Sequence, residues 1–514
     1  TMFSTETTIC EKLLFALALA SASQALQLLV VYPFPARSHN ILGNGIVRHL
    51  LAAGHQVTYI TPFPLANPHK NLRQVDVSSN NHVLPIFQFN SIIQVVENTL
   101  KDNNVQTLMN DPKEKFDLII AEWMFTESYS GLAAVFNCPY IWSLPFETHA
   151  TPLSLIDEVT NPAYVPYMLS KNVPPYSFWQ RASELLYQIY MIFYWNALKI
   201  IIKLLNNKKL HIDAICYIYG PVMAKKGRPL PSFDEMQKSA SMMLSNSHVS
   251  ISNPVSLPQN YKYIGGFHIE EGLKPLPEDL KRIMDNAEHG VIYFSFGSNL
   301  KSKDFPPEMI DGLLKMFSEF KQTVIWKFEE ERETLPNNVH IIKWGPQQSI
   351  LSHTNCKLFI THGGLLSTIE AVHFGVPIIG IPVFADQFGN VQRIVSRGFA
   401  KRVDLSRALA EDIRVAINEI INDPSYSTRA KEISFIYHDR VEPPGRELVH
   451  WVEHVVRTRG APHLRSPALL VPWYQKMYLD LAAVILAGIL VIKYLIKIIM
   501  SNLTNQKNIL KLVN

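Results

Sequence analysis

The stretch 343–393, KWGPQQSILSHTNCKLFITHGGLLSTIEAVHFGVPIIGIPVFADQFGNVQR, constrains the fold more than any other part of the chain. Two short apolar runs, 358–360 and 377–383, read as buried strands. The first meets a turn containing Gly363 and Gly364, then an amphipathic helical pattern over 365–374; the second ends in a short polar turn. In an open parallel α/β sheet, the turns at the carboxyl ends of strands line the crevice where ligands bind. Two small residues at a helix start let an anion reach unpaired backbone N–H groups. Gly363 and Gly364 therefore mark a phosphate position, with His362 as an adjacent donor. Ser367 and Glu370 share one helical face, and Glu370 is placed to accept from a ribose diol. Asp386 and Gln387 follow the second strand and suit sugar hydroxyls. Trp344 and Gln347, after a strand read over 339–343, offer a base a stacking face and an amide. Together these residues describe a nucleotide-sugar site.

The pattern W-x-P-Q (344–347), T-H-G-G (361–364), a glutamate eight residues after the histidine, G-V-P (375–377) and D-Q (386–387) resembles the signature of the UDP-glycosyltransferases in their membrane-bound animal form. The segments 116–143 and 161–166 resemble insect members. Plant members carry Trp and Asn after the histidine, where Leu365 and Leu366 stand here, so those contacts do not carry over. The resemblance implies an α/β chain of GT-B architecture, two Rossmann-like parallel-sheet domains facing a cleft, plus a C-terminal transmembrane helix. It also implies that His39 is the general base and that Glu122 pairs with it, at a position where the family has Asp.

The rest of the chain fits this frame. Lys12, the apolar run 13–20 and small residues through Ala25 have the form of a secretory signal over 1–25; a first helix of the domain is the alternative. An N-terminal acceptor-binding domain is expected over 26–264, with a strand at 28–32, a loop at 36–39 carrying His39, and a helix at 40–53. Strands follow at 56–60, 116–121, with Glu122 at its end, and 139–143. The aromatic-rich segment 178–205 reads either as a packed helix or as an apolar wall for a lipophilic acceptor that touches the bilayer. A turn-rich joint is expected over 265–285 and a UDP-sugar-binding domain over 286–460. There a strand at 291–296 presents Gly297 and Ser298 at its phosphate-facing end, followed by a helix at 307–320 and a strand at 323–327.

Residues 461–478 form a juxtamembrane segment, and 479–500 is a 22-residue apolar run, about 33 Å as a helix. The lysines at its end and beyond place the tail 501–514 in the cytoplasm and the body in the lumen, a single-pass type I protein of the endoplasmic reticulum membrane. The sequon Asn502-Leu503-Thr504 then lies on the cytoplasmic side, so glycosylation is not expected. Lys493, Lys497, Lys507 and Lys511 account for the whole net charge of +4, leaving a neutral body that argues against nucleic acid as a partner. Cys10, Cys138, Cys216 and Cys356 have no metal-like spacing, and no disulfide framework is expected.

The reaction expected is inverting transfer of a sugar, with glucose the expected one, from a UDP-sugar to a hydroxyl of a small lipophilic acceptor, as in detoxification or hormone and pigment conjugation. Ser298 and His362 would help carry the charge of departing UDP. No D-x-D occurs, so no metal is expected, and the UDP-sugar is a co-substrate rather than a cofactor. The partners expected are the donor, the acceptor and the membrane, with a homo-oligomer left open. Three alternatives stand beside this reading. One is UDP-glucuronate as donor. Another is a UDP-sugar-binding membrane protein whose activity is impaired, with Glu122 in place of Asp as its motive. The third, a dinucleotide oxidoreductase, lacks G-x-G-x-x-G after the first strand.

Overall fold

A computed structural model of the chain describes residues 25–513 apart from 84–88, 158–160, 168–169, 173–174, 206–210, 299 and 477. The expected signal sequence, Cys10, Lys208 and Lys209 fall outside the described residues, save Ala25 at the end of the signal.

Strand-forming segments here are near-continuous apolar runs, the pattern of parallel strands covered by helices on both faces. The first sheet contains β1 (Gln27–Val31), β2 (Gln56–Thr61), β3 (Leu72–Asp76), β4 (Leu118–Glu122), β5 (Tyr140–Leu144), β6 (Met242–Ser245) and β7 (Tyr261–Tyr263). They lie in the order β3-β2-β1-β4-β5-β6-β7, every neighbouring pair parallel. The second sheet contains β8 (Val291–Ser295), β9 (Thr323–Lys327), β10 (Val339–Ile342), β11 (Cys356–Thr361), β12 (Ile378–Gly380) and β13 (Ala400–Arg402). Its order is β10-β9-β8-β11-β12-β13, again parallel throughout.

Each sheet has one place where the chain reverses its direction of growth, between β1 and β4 in the first and between β8 and β11 in the second. Connections leave these paired strands toward opposite sides, opening a crevice at the carboxyl ends. Both candidate half-sites grow from those two crevices.

Local boundaries differ from the sequence reading in three useful ways. The helix expected from residue 40 begins at Arg37, after an extended Ala36, so His39 lies in its first turn and not in a preceding loop. Pro33 and Pro35 stop the strand, but nothing in Arg37-Ser38-His39 resists helical geometry. The run 377–383 contributes only Ile378–Gly380 to the ladder, because Pro382 has no N–H to continue it. Gln347, expected at a strand end, instead opens the short helix Gln347–Leu351.

The helix Pro444–Arg457, which the sequence reading places at the end of the second domain, packs on the first sheet. Its Leu448, Val452 and Val455 share a core with Leu28, Val30, Leu118, Ile120 and Met242. The chain thus crosses between the halves twice, after β7 and again before Pro444. The crossings touch: Arg440 Nη2 and Tyr437 Oη both donate to the Gly265 carbonyl, at 2.9 and 3.3 Å. This compact unit extends to Arg465.

The second unit, Ser466–Asn514, holds the long helix Leu479–Val513. Its stretch Leu479–Asn502 has a mean hydropathy of 2.4 and is long and apolar enough to cross a membrane.

Candidate functional site

The first half-site follows from strand pairing. Val31 of β1 lies opposite Ala121 of β4, so residues just past these positions converge. His39 reaches back from the first helical turn, and its Nδ1 is hydrogen-bonded to Oε1 of Glu122, the last residue of β4. Both side chains are buried, at 5% and 1% exposure. The extra methylene of Glu122 therefore does not prevent contact with the imidazole. With Nδ1 held, Nε2 is the His39 atom left for proton exchange in the cleft.

Aromatic rings surround the pair. Phe34 and Phe146 lie 4.9 and 6.3 Å from the His39 ring, and Phe125 is 5.3 Å from Phe146. Behind them, His149 is enclosed by Trp123 and Phe125, and burial pushes its pKa down to about 3, so it is neutral. An apolar wall beside a polar pair suits a lipophilic molecule with one reactive hydroxyl. None of the described side chains of the helix Phe178–Leu205 borders this cleft; Phe178, Trp179 and Leu186 are exposed instead.

In the second half, Ser295 of β8 pairs with Thr361 of β11, which brings Gly297 and Ser298 beside His362. The imidazole fills the space that side chains at Gly297 and Gly364 would occupy. A β-carbon on Gly297, whose φ is +77°, would stand 2.5 Å from His362 Cε1, and one on Gly364 would stand 2.6 Å from Nε2. Burial, reinforced by the charge of Lys327, lowers the His362 pKa to about 4, leaving a neutral ring that can donate one N–H. Gly364 caps the helix Leu365–Phe374 without any side-chain cap, so the helix's first amides meet the cleft with their partial positive charge. Gly363 lies behind them, its carbonyl accepting from Asn390 Nδ2 at 3.1 Å.

Glu370 is buried and held by three side chains. Gln347 Nε2 and Gln348 Nε2 donate to it at 2.5 and 3.0 Å, and His268 Nε2 stands 3.5 Å away. Burial alone would raise its pKa, but His268 and the two amides more than offset this, and the net shift is downward. The carboxylate is therefore charged. Gln347 also donates to Ser367 Oγ at 3.0 Å. The amide expected to meet a base thus rests on the carboxylate expected to meet a ribose. Trp344 is half exposed, with the Arg37 guanidinium 5.2 Å from its ring.

Asp386 precedes the helix Gln387–Ser396 and accepts from Asn390 Nδ2 at 2.7 Å. Burial raises its pKa, against the opposing pull of Asn390, Arg393 and His39. Gln387 Oε1 accepts from the Val383 and Phe384 amides at 2.8 and 3.1 Å, which turns its NH₂ into the group available to a ligand.

The donor-site residues and His39 expected from the sequence border one cleft of about 460 Å³, save Gly363, which with Glu122 supports it from behind. Thr148 and His149, also expected to reach the crevice, are buried and do not border it. The sequence reading missed Lys327, the buried last residue of β9. Its Nζ donates to Gly297 O and Glu329 Oε1, both at 2.8 Å, and lies 5.5 Å from the Trp344 ring. The available signal was a lone cation at the carboxyl end of an otherwise apolar strand. His268 and Gln348 were missed too, since both act through Glu370.

Residues 67–511 match the model of the family described as "UDP-glucoronosyl and UDP-glucosyl transferase". A protein of Dactylopius coccus named UDP-glucosyltransferase 2 is 34% identical over 504 residues, covering 93% of this chain and 94% of its own. The human UDP-glucuronosyltransferase 2B7 is 30% identical over 402 residues, covering 77% and 71%. Among solved structures, a UDP-glucosyltransferase from Polygonum tinctorium capable of glucosylating indoxyl superposes with a TM-score of 0.57 at 16% identity, over 85% of this chain and all of that one. The forosaminyltransferase SpnP gives a TM-score of 0.57 at 19% identity, over 84% of this chain and all of that one. The fold is GT-B.

Proposed function

The chain belongs to the UDP-glucoronosyl and UDP-glucosyl transferase family, and from that membership we propose that it transfers glucose from UDP-glucose to a hydroxyl of a small lipophilic acceptor, with inversion and without a metal. The observation that carries the reading is the buried contact of His39 Nδ1 with Glu122, on the same cleft as Trp344, Glu370 and His362.

In this mechanism the acceptor lies against Phe146 with its hydroxyl at His39 Nε2. That nitrogen takes the proton as the acceptor oxygen bonds to the anomeric carbon from the face opposite UDP. The bond from that carbon to the β-phosphate oxygen breaks, and its electron pair leaves with UDP. Glu122 acts as a positioning residue, fixing the tautomer of His39 and stabilising its cation. The growing charge on UDP meets the amides at Gly364, the His362 N–H, Ser298 and the Lys327 ammonium. Gln347 exchanges Glu370 for the uracil, which stacks on Trp344, and the carboxylate takes the ribose diol.

Asp386 and Gln387 bond the sugar hydroxyls. The choice of glucose over glucuronate is supported by the likeness over most of the chain to the Dactylopius coccus protein named UDP-glucosyltransferase 2. The helix Leu479–Val513 supplies a membrane anchor, and the reading places the body in the lumen of the endoplasmic reticulum.

Measuring UDP release from UDP-glucose and from UDP-glucuronate with one permissive phenol tests the proposal. Release from UDP-glucose is expected. Preference for UDP-glucuronate would overturn the choice of sugar. Release from neither, with UDP still bound, would favour a binding protein.

A further inference from the structure

A line of polar contacts joins the acceptor side of the cleft to Asp386. Glu147 follows β5 and is next in sequence to Phe146, the ring beside His39. Its buried carboxylate accepts from Ser247 Oγ at 2.5 Å, Ser252 Oγ at 2.8 Å and the Thr148 amide at 3.0 Å. These bonds fix it on the first half. Facing it from the second half is Arg393, whose Nη2 stands 3.8 Å from Glu147 Oε2, with both side chains about nine-tenths buried. The same Nη2 donates to Asn390 Oδ1 at 2.5 Å. Asn390 Nδ2 then donates to Asp386 Oδ2 at 2.7 Å and to the Gly363 carbonyl at 3.1 Å.

We infer that Glu147 and Arg393 are positioning residues that set the donor-sugar contact of Asp386, through Asn390, in register with the acceptor wall carried by Phe146. The inference rests on the proposed role of Asp386 toward the sugar. Its physical basis is that an ion pair with little exposure is weakly screened, so it holds geometry better than a surface pair. One nitrogen of Arg393 makes both contacts, a hydrogen bond to Asn390 Oδ1 and an ion pair with Glu147 that is too long for a hydrogen bond, so removing either charge frees the guanidinium to move. Asn390 bonds the Asp386 carboxylate itself but only the carbonyl of Gly363, while Ser298 follows β8 and Lys327 ends β9, so a shift of Arg393 moves the sugar contact more than the diphosphate contacts.

The test compares UDP-glucose and UDP binding, by calorimetry on the full chain in detergent, for wild type, Glu147→Gln, Arg393→Gln and the double variant. Each single variant is expected to weaken UDP-glucose binding by roughly ten- to a hundred-fold, the range for a buried charged pair, while UDP binding is unchanged. The double variant should lose no more than either single one, since both break the same pair. UDP binding doubles as the check of folding. If Glu147→Gln does not fold, Arg393→Gln, which removes the other charge of the pair, carries the same comparison. An unchanged ratio of UDP-glucose to UDP affinity in a folded variant, or additive losses in the double variant, would overturn the inference. A wild-type chain that binds UDP but gains nothing from the glucose would overturn the role of Asp386 itself.

Discussion

Gly297 lies directly against the imidazole of His362: a β-carbon on the glycine would stand 2.5 Å from Cε1 of the ring. The two residues come from neighbouring strands at the point where the second sheet reverses its growth, so the contact follows from the topology.

Gly297→Ala should therefore displace His362 and strain a backbone with φ of +77°, at a cost of about 1–2 kcal/mol. The expected kinetic result is a higher KM for the UDP-sugar and a lower kcat, with the acceptor KM little changed. Wild-type donor kinetics in a folded Gly297→Ala protein would mean that His362 does not face the diphosphate.

His39→Ala should lower kcat by roughly 10²–10⁴ while UDP binding survives. Glu122→Gln keeps the size and removes the charge, so a smaller loss is expected, together with a shifted pH profile of kcat. Should Glu122→Gln keep the wild-type profile across pH, the carboxylate does not govern His39.

Glu370→Ala should raise the donor KM strongly and the acceptor KM little, since a hydrogen bond to a charged group contributes about 1.5–3 kcal/mol. Equal effects on both substrates would remove Glu370 from the ribose.

Acid should destabilise the protein through its neutral buried histidines. His149 stays uncharged down to about pH 3 and His362 to about pH 4, whereas imidazoles of the unfolded chain take protons near pH 6.5. Over that interval the unfolded state binds more protons, so stability falls as pH drops from about 6.5 toward 3–4. Melting temperature against pH checks this, and His149→Phe, which keeps a ring between Trp123 and Phe125, should flatten the slope. An unaltered slope would exclude His149 as a contributor.

Truncation ahead of Tyr478 should release the body from salt-washed membranes if Leu479–Asn502 is the sole anchor. Retention would point to the helix Phe178–Leu205, whose exposed Phe178, Trp179 and Leu186 suit a bilayer surface.

The cleft was legible in sequence where its residues sit on local patterns. His362, Gly364 and Glu370 belong to one strand–turn–helix unit, and periodicity fixes their mutual placement. His39 was legible as the residue after a buried strand, although its helix begins three residues sooner than Asn40. What escaped was set by contacts between distant segments. Lys327 looks like an ordinary strand end until Gly297 is placed beside it. His268 and Gln348 gain meaning only through a carboxylate far along the chain. Nothing in the periodicity of Pro444–Arg457 says which of two sheets its apolar face will cover.

The paired crossings at Gly265 and Arg440 bear on how such a molecule can move. Two strands of chain bonded side by side form an axle: sliding or twisting of one half past the other would tear the bonds to the Gly265 carbonyl, while swinging about the line through them would not. A cleft that opens with both bonds intact therefore opens by a swing about that line, and it closes along the same arc.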